Sequence, residues 1–98
     1  MVKMKISEVI KKRAVYKVLA TVRLAGKFYD EQKKRDVEWE GDRLVVGVCN
    51  REDFKKPFKK VEVLKVDSDF LGVDNGSYVA CYFDEYQRVT GVDELDEA

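Results

Sequence analysis

The feature that most constrains the fold of this chain is a period-two alternation of apolar residues that begins near residue 15. One set of alternate positions holds Tyr16, Val18, Ala20, Val22 and Leu24. Such alternation, rich in β-branched residues, is typical of a strand with one side against a core. A helix that continues to Leu24 is the alternative, because one helical face would then collect Ile10, Ala14, Lys17 and Thr21. We favour the strand and expect Ala25-Gly26 to end it.

A short helix is predicted before this strand, over residues 7–13. Ile6, Val9 and Ile10 would share one side of it. The run Lys11-Lys12-Arg13 places positive charge at its C-terminal end, where the helix dipole favours cations. The chain is therefore expected to begin with one helix and to continue in strands.

Two glycine-containing turns predict two tight hairpins. In the first, residues 36–40 and 43–48 meet across Gly41-Asp42, where glycine suits a type II′ turn. That register sets Glu40 opposite Arg43, Trp39 opposite Leu44 and Val37 opposite Val46. This register forms one opposite-charge pair and two apolar pairs across the strands, and such pairs stabilise a hairpin.

The second hairpin is predicted to turn at Asn75-Gly76, a dipeptide strongly favoured in two-residue loops. In this register Val73 faces Tyr78, Leu71 faces Ala80 and Phe70 faces Cys81. Both sides of the hairpin are apolar, which is typical of strands that are central in a fold or lie against a partner. Further strands are expected at 61–66 and 88–92, whereas Pro57 indicates a surface loop over residues 50–60.

These elements predict an α+β, β-rich fold, with one short N-terminal helix and about six or seven antiparallel strands in a small barrel or strongly bent sheet. Over roughly the last forty residues, the spacing of a strand, a tight glycine turn, a strand and a short strand resembles that of Sm-like and SH3-like barrels. The resemblance implies a barrel and assigns no functional residue. We expect a single domain at 1–92 and an acidic tail at 93–98.

No stretch of the sequence has the length and hydropathy of a signal peptide or a membrane span, so a cytosolic protein is expected. The two cysteines, Cys49 and Cys81, lie in strand-like surroundings and are predicted to be buried thiols. A disulfide between adjacent strands is the alternative. Abundant Lys and Glu with few amides is a bias seen in hyperthermophile proteins.

The sequence offers little for catalysis. It contains no His, which excludes Ser–His and Cys–His pairs, and its six glycines stand singly near turns. Asp67 and Asp69 would point to one side of an extended chain and, with Asp84, could hold Mg²⁺, but acidic pairs at turns are common. We therefore expect a protein that is not an enzyme and has no catalytic residue, no metal and no cofactor.

Charge is divided between two segments of the chain. Residues 1–60 hold 17 basic and 9 acidic side chains, a net charge of +8, and residues 61–98 hold 2 and 10, a net charge of −8. The formal net charge of zero is a cancellation of separated fields. The two segments either present a polarised surface to a partner or neutralise each other within one molecule.

The basic segment contains a loop that interleaves cations with aromatic rings, as single-stranded nucleic-acid binding proteins do. The candidate residues for binding RNA or DNA are Phe54, Lys55, Lys56, Phe58, Lys59 and Lys60, extended by Lys33, Lys34 and Arg35 where the fold brings them together. Two observations weigh against this function. Phe54 and Phe58 would equally cap the core from the loop, and a net charge of zero is low for a nucleic-acid binding domain.

A small protein-interaction module is the preferred function. The apolar hairpin offers more surface than a small fold covers, and its aromatic residues are of types enriched at interfaces. The predicted interface residues are Tyr78, Tyr82, Phe83, Tyr86 and Trp39. Because opposite fields orient two molecules on each other, the expected partner is a second copy of the chain, in a homo-oligomer, or another protein. No membrane partner is expected.

Overall fold

The computed structural model describes residues 3–97 and contains one short helix followed by five strands. The helix α1 spans Ile6–Val9, and the strands are β1 Tyr16–Asp30, β2 Arg35–Val48, β3 Lys60–Lys65, β4 Tyr78–Phe83 and β5 Val89–Leu95. Neighbouring strands are antiparallel, in the order β3-β2-β1-β4-β5. The predicted β-rich fold is confirmed. Within residues 3–97 no helix is long and apolar enough to cross a membrane.

The helix predicted at 7–13 is present but shorter. α1 buries Ile6 and Val9, and the chain then continues in turns in which the N–H groups of Lys12 and Arg13 both donate to the carbonyl of Val9. The N–H of Ile6 donates to the carbonyl of Asp96 at 3.0 Å. This bond fixes the helix beside the end of β5.

β1 and β2 form one long hairpin, paired from Tyr16–Val48 at its base to Asp30–Arg35 at its tip. The turn occupies residues 31–34. The Asp30 side chain accepts the N–H groups of Gln32 and Lys33, and Lys34 has a φ of 52°. The tight turn predicted at Gly41-Asp42 is therefore wrong, and so is the register that was derived from it.

Two glycines that were expected to break strands lie inside them instead. Gly26 pairs with Trp39, and a Cβ added at Gly26 would lie 2.7 Å from three atoms of the indole ring. Glycine at this position gives the ring room, so β1 continues through Ala25-Gly26. Gly41 pairs with Leu24 within the same ladder. Trp39 consequently faces Gly26 and not Leu44.

Asn75-Gly76 forms a turn but not the predicted hairpin. Gly76 has a φ of 89°, and its N–H donates to the carbonyl of Val18, so this turn lies against β1. No strand occurs between residues 67 and 77. The partner of β4 is β5, with Tyr78 facing Leu95 and Cys81 facing Val92. The predicted pairing of residues 70–73 with β4 is wrong because a turn at Asp67 interrupts that segment.

The sheet is bent but is not closed into a barrel, and it has five strands rather than six or seven. An isolated bridge joins Val66, just after β3, to Val89 of β5, so the two edges of the sheet approach each other at one point. The barrel prediction is wrong because the segment that was expected to form several short strands forms two long ones. These strands, β1 and β2, have 15 and 14 residues and pair in a single hairpin.

β5 extends further than the sequence predicted. Leu95 is buried in the core, and Asp96 forms a bridge with Lys5. Residues 93–95 therefore belong to the sheet and not to the acidic tail expected at 93–98. Ala98, the last residue of that tail, lies outside the described residues.

Two apolar clusters pack on the two sides of the sheet. The cluster beneath α1 consists of Ile6, Val9, Ile10, Val15, Cys49, Ala80 and Leu95. The cluster on the opposite side consists of Tyr16, Val18, Leu44, Val46 and Val79. Both thiols are free; Cys49 is buried and Cys81 is half-buried beside the second cluster.

Candidate interaction surface

β1 and β2 extend far beyond the rest of the sheet. The part of β1 that pairs with β4 is limited to Tyr16 and Lys17, and the part of β2 that pairs with β3 is limited to residues 43–48. Residues 22–42, which we call the arm, form a two-stranded ribbon that no other strand flanks. The protein measures 54 × 29 × 22 Å, with a radius of gyration of 16.0 Å. A compact domain of this length has a radius of gyration of about 13 Å.

One side of the arm is apolar. Directly paired residues project to the same side of a ladder, and the pairing of β1 with β2 therefore unites Val22, Leu24, Phe28, Val37 and Trp39. The indole of Trp39 lies over Gly26, and the Arg43 guanidinium stacks on it at 5.7 Å. Phe28 is 52% exposed and Trp39 is 39% exposed. Such large, partly exposed side chains in a continuous row are unusual on a monomeric protein.

The apolar side continues from the arm onto the body of the protein. Val45 of β2 pairs with Val63 of β3, and Gly47 pairs with Val61, on the same side of the sheet. Val61 and Val63 are 58% and 57% exposed. Phe58 lies against Gly47 and ends the surface. The surface, which we call the open face, comprises Val22, Leu24, Phe28, Val37, Trp39, Val45, Phe58, Val61 and Val63.

The opposite side of the arm is ionic. Arg23 donates from Nε to Asp42 at 3.0 Å and also lies 3.4 Å from Glu40, and Lys27 lies 3.6 Å from Glu38. The hydrogen bond to Asp42 raises the pKa of the Arg23 guanidinium. Exposed ion pairs add little stability. The charges on this side of the arm are therefore paired within the ribbon. No other strand of the described structure covers the apolar side chains on the open face of the arm.

The two ends of the open face differ in charge. At the tip of the arm one acid and one base, Asp30 and Arg35, project to the side of the open face, whereas the four carboxylates of β2 between Asp36 and Asp42 project to the ionic side. At the body end, three cations project to the same side as the open face: Lys17, Arg43 and Lys65. The adjoining segment 50–60 holds five basic and two acidic residues. The body end of the open face is therefore basic, and the strands of the arm add no net charge to it.

Of the five interface residues predicted from the sequence, Trp39 alone lies on the open face. Tyr78 and Tyr82 lie on β4, on the side that faces α1. The rings of Tyr78 and Phe54 pack in a T-shaped arrangement, with their centres 5.7 Å apart. The Tyr82 hydroxyl donates to Asp93, and the Arg13 guanidinium lies 4.7 Å above its ring.

The other two predicted interface residues, Phe83 and Tyr86, are 41% and 67% exposed. Phe83 ends β4, and Tyr86 lies in the turn between β4 and β5, where the Arg88 guanidinium stacks at 5.2 Å from the ring centre. The side chain of Asp84 organises this turn by accepting the N–H groups of Tyr86 and Arg88. The structure thus does not gather the five aromatic residues into one patch.

The candidate nucleic-acid residues fall into two groups. Lys33, Lys34 and Arg35 lie at the tip of the arm, whereas the group from Phe54 to Lys60 lies beside its base. The 15-residue β1 separates the two groups by roughly 45 Å at the usual rise per residue. Phe54 is half-buried against Tyr78, and Phe58 lies on Gly47. Both rings are in contact with the protein itself.

The carboxylates considered for Mg²⁺ surround an arginine. Arg88 donates from Nε to Asp84 at 2.8 Å and lies 3.6 Å from Asp67. Hydrogen bonds from the Arg88 backbone and side chain lower the pKa of Asp84. Among residues 3–97 no group of three or more metal-ligating side chains was found.

Most residues of the open face were not singled out from the sequence. Leu24, Phe28 and Val37 escaped because the turn was placed at Gly41-Asp42, which separated β1 from its partner. Had the turn been placed at residues 31–34, one register would have aligned Phe28 with Val37 and Lys27 with Glu38. Comparison of the chain with protein-family models, curated proteins and solved structures finds no match.

Proposed function

We propose that this chain is a small non-enzymatic protein-interaction module that buries the open face against another protein surface. The observation that carries the proposal is the continuity of the open face, from Phe28 near the tip of the arm to Val61 and Val63 on β3. Exposed apolar patches of this kind on soluble proteins mark interaction sites.

The energetics of the arm support this function. An isolated two-stranded ribbon is marginally stable in water, because it has no third layer to cover its apolar side. Complete burial of a Val, Leu or Phe side chain contributes about 1.5–3 kcal/mol. At positions such as Leu24 and Phe28, which are about half exposed, roughly half of that free energy is still available to a partner.

The charges support a protein partner over a nucleic acid. The cations Arg23 and Lys27 are paired with carboxylates of the arm itself, so they present no free row of positive charge to phosphates. Phe54 and Phe58, the rings that would stack on bases, are in contact with Tyr78 and Gly47. The exposed apolar side chains of the open face therefore offer a partner more than these cations and rings do.

Site-specific photocrosslinking in the native host tests the proposal. A photoreactive benzoylphenylalanine replaces Phe28 in one variant and Tyr29 in a matched control. These neighbours are 52% and 60% exposed and project to opposite sides of the arm. We expect protein adducts from position 28 and few from position 29, with adduct masses unchanged by nuclease treatment.

The result that would refute the proposal is equally definite. Equal yields of adduct at positions 28 and 29, or no protein adduct at position 28, would mean that the open face does not contact protein. An adduct lost on nuclease treatment would support the nucleic-acid alternative instead. Circular dichroism of both variants checks that the sheet is retained.

A further inference from the structure

We infer that the partner of the open face is a second copy of the chain, docked antiparallel, so that the arm of each copy covers the β2–β3 base of the other. This inference rests on the proposed protein-interaction function and names the partner. The resulting dimer has a two-fold axis that crosses the open face near Val22 and Leu24, and both copies bury the same residues.

The surface area of the single chain favours such a dimer. The chain exposes 7206 Å². A monomeric protein of 11.4 kDa is expected to expose about 5,800 Å², so the excess is about 1,400 Å². A standard interface removes about 800 Å² from each partner. The excess is therefore larger than the area that one partner loses in a standard interface, and a dimer that covers the open face would bring the exposed area of the chain close to the ordinary value.

The open face is apolar at both ends, as the antiparallel dimer requires. An isologous interface pairs one patch with itself, and in the antiparallel arrangement each end lies on the other end of the second copy. Leu24, Phe28 and Trp39 form the arm end. Val61 and Val63 form the body end. Two sheets packed face to face lie about 10 Å apart, a distance that these side chains fill.

Charge selects the antiparallel arrangement over the parallel one. The open face carries its cations at the body end, and in the antiparallel dimer Lys17 of each copy lies over the arm of the other. In a parallel dimer the two body ends would meet, each with the basic segment 50–60 beside it. Like-charge juxtaposition of this kind is strongly unfavourable at an interface.

Sedimentation velocity on the purified full chain tests whether the partner is a second copy. We expect a species of twice 11.4 kDa that dissociates on dilution. Leu24→Glu and Val63→Glu each place an unpaired carboxylate in the interface and should raise the dissociation constant by more than about 100-fold. The matched control Ala25→Glu, next to Leu24 but on the ionic side of the arm, should leave the dimer intact.

Distances between spin labels test the orientation. Labels are placed at Ala25→Cys or Lys33→Cys, in a chain whose two native cysteines are replaced by alanine. In the antiparallel dimer the two labels at position 25 lie within about 30 Å, whereas those at position 33 lie more than about 50 Å apart, given ~3.3 Å per residue. Short distances at both positions would overturn the antiparallel arrangement.

The outcomes separate this inference from the proposed function. A chain that remains monomeric at 0.5 mM (roughly the upper range of the assay, far above the dissociation constant of standard interfaces) would overturn the dimer. Face-specific adducts from position 28 in the native host would then still support protein binding, with a different partner. A dimer that Leu24→Glu and Ala25→Glu weaken equally would show that copies associate by another surface, which also overturns the inference.

Discussion

The close contact between Gly47 and Phe58 leads to a quantitative prediction about stability. Gly47 is buried in β2, and a Cβ added there would lie 2.6–2.7 Å from three atoms of the Phe58 ring. Carbon atoms in ordinary contact are about 3.5–4.0 Å apart. In Gly47→Ala the Phe58 ring must therefore move about 1 Å outward and lose its packing on the sheet.

Two opposing effects set the magnitude. Overpacking of this kind costs about 1–3 kcal/mol, whereas replacing a strand glycine by alanine contributes about 0.5–1 kcal/mol through the unfolded state. We expect Gly47→Ala to lower the free energy of unfolding by about 0.5–2 kcal/mol, which corresponds to a fall in Tm of roughly 2–10 °C for a chain of this size. With the ring removed by Phe58→Ala, the same substitution should become stabilising by about 0.5–1 kcal/mol.

A double-mutant cycle followed by thermal and urea unfolding measures this change of sign. Gly91→Ala is the control, since nothing lies within 4 Å of the Cβ that it adds to β5, and it should be stabilising with or without Phe58. If Gly47→Ala raises Tm while Phe58 is present, the steric argument is refuted. The position of Phe58 would then be set by the conformation of the loop 50–60 and not by its packing on Gly47.

Two further predictions concern titration. Burial raises the pKa of the Cys81 thiol to about 11 from an ordinary value of 9.0, so at pH 8 we expect alkylation roughly 100-fold slower than for a free thiol; a rate equal to that of a free thiol would contradict the burial of Cys81. Hydrogen bonds from Arg88 lower the pKa of the Asp84 carboxyl below 3.8. Its contribution to stability is therefore complete above the unfolded pKa and disappears as pH falls through the folded value. NMR titration of the Asp84 carboxyl measures the pKa, and a value of 3.8 or higher would refute the role given to the turn at 84–88.

The parts of the fold that were predicted correctly depend on local patterns. Alternation identified the first half of β1, the strand near 61–66 and the first part of the strand near 88–92, because a strand with one side on the core must alternate. The short helix followed from Ile6 and Val9 on one side. These predictions needed only neighbours in sequence.

The errors concern glycines whose role depends on a distant partner. Gly26 was taken as a strand end and Gly41 as a turn, since glycine disfavours strands when it is considered alone. Gly26 is instead required by the Trp39 ring that lies over it. The true turn, Glu31-Gln32-Lys33-Lys34, contains neither glycine nor proline, and its signal is the Asp30 carboxylate that binds two following N–H groups.

The division of charge along the chain is retained in the folded protein. Ion pairs that join residues 1–60 to residues 61–98 include Lys3–Glu94 and Arg13–Asp93, beside α1. The arm pairs its own charges through Arg23 and Lys27. Within the acidic segment, Arg88 forms ion pairs with Asp67 and Asp84.

Contacts that neutralise charge between the two segments in the described part of the chain include those near the helix and the Lys60–Glu62 pair on β3. The lysines of the segment 50–60 are all exposed, and two of them, Lys56 and Lys60, also lie 3.7 and 2.8 Å from Glu52 and Glu62. Screening limits such fields to about 8–10 Å at physiological salt, so they act only once two surfaces are nearly in contact. Apolar burial would then provide most of the affinity of the proposed dimer, and repulsion between the basic body ends would disfavour the parallel arrangement.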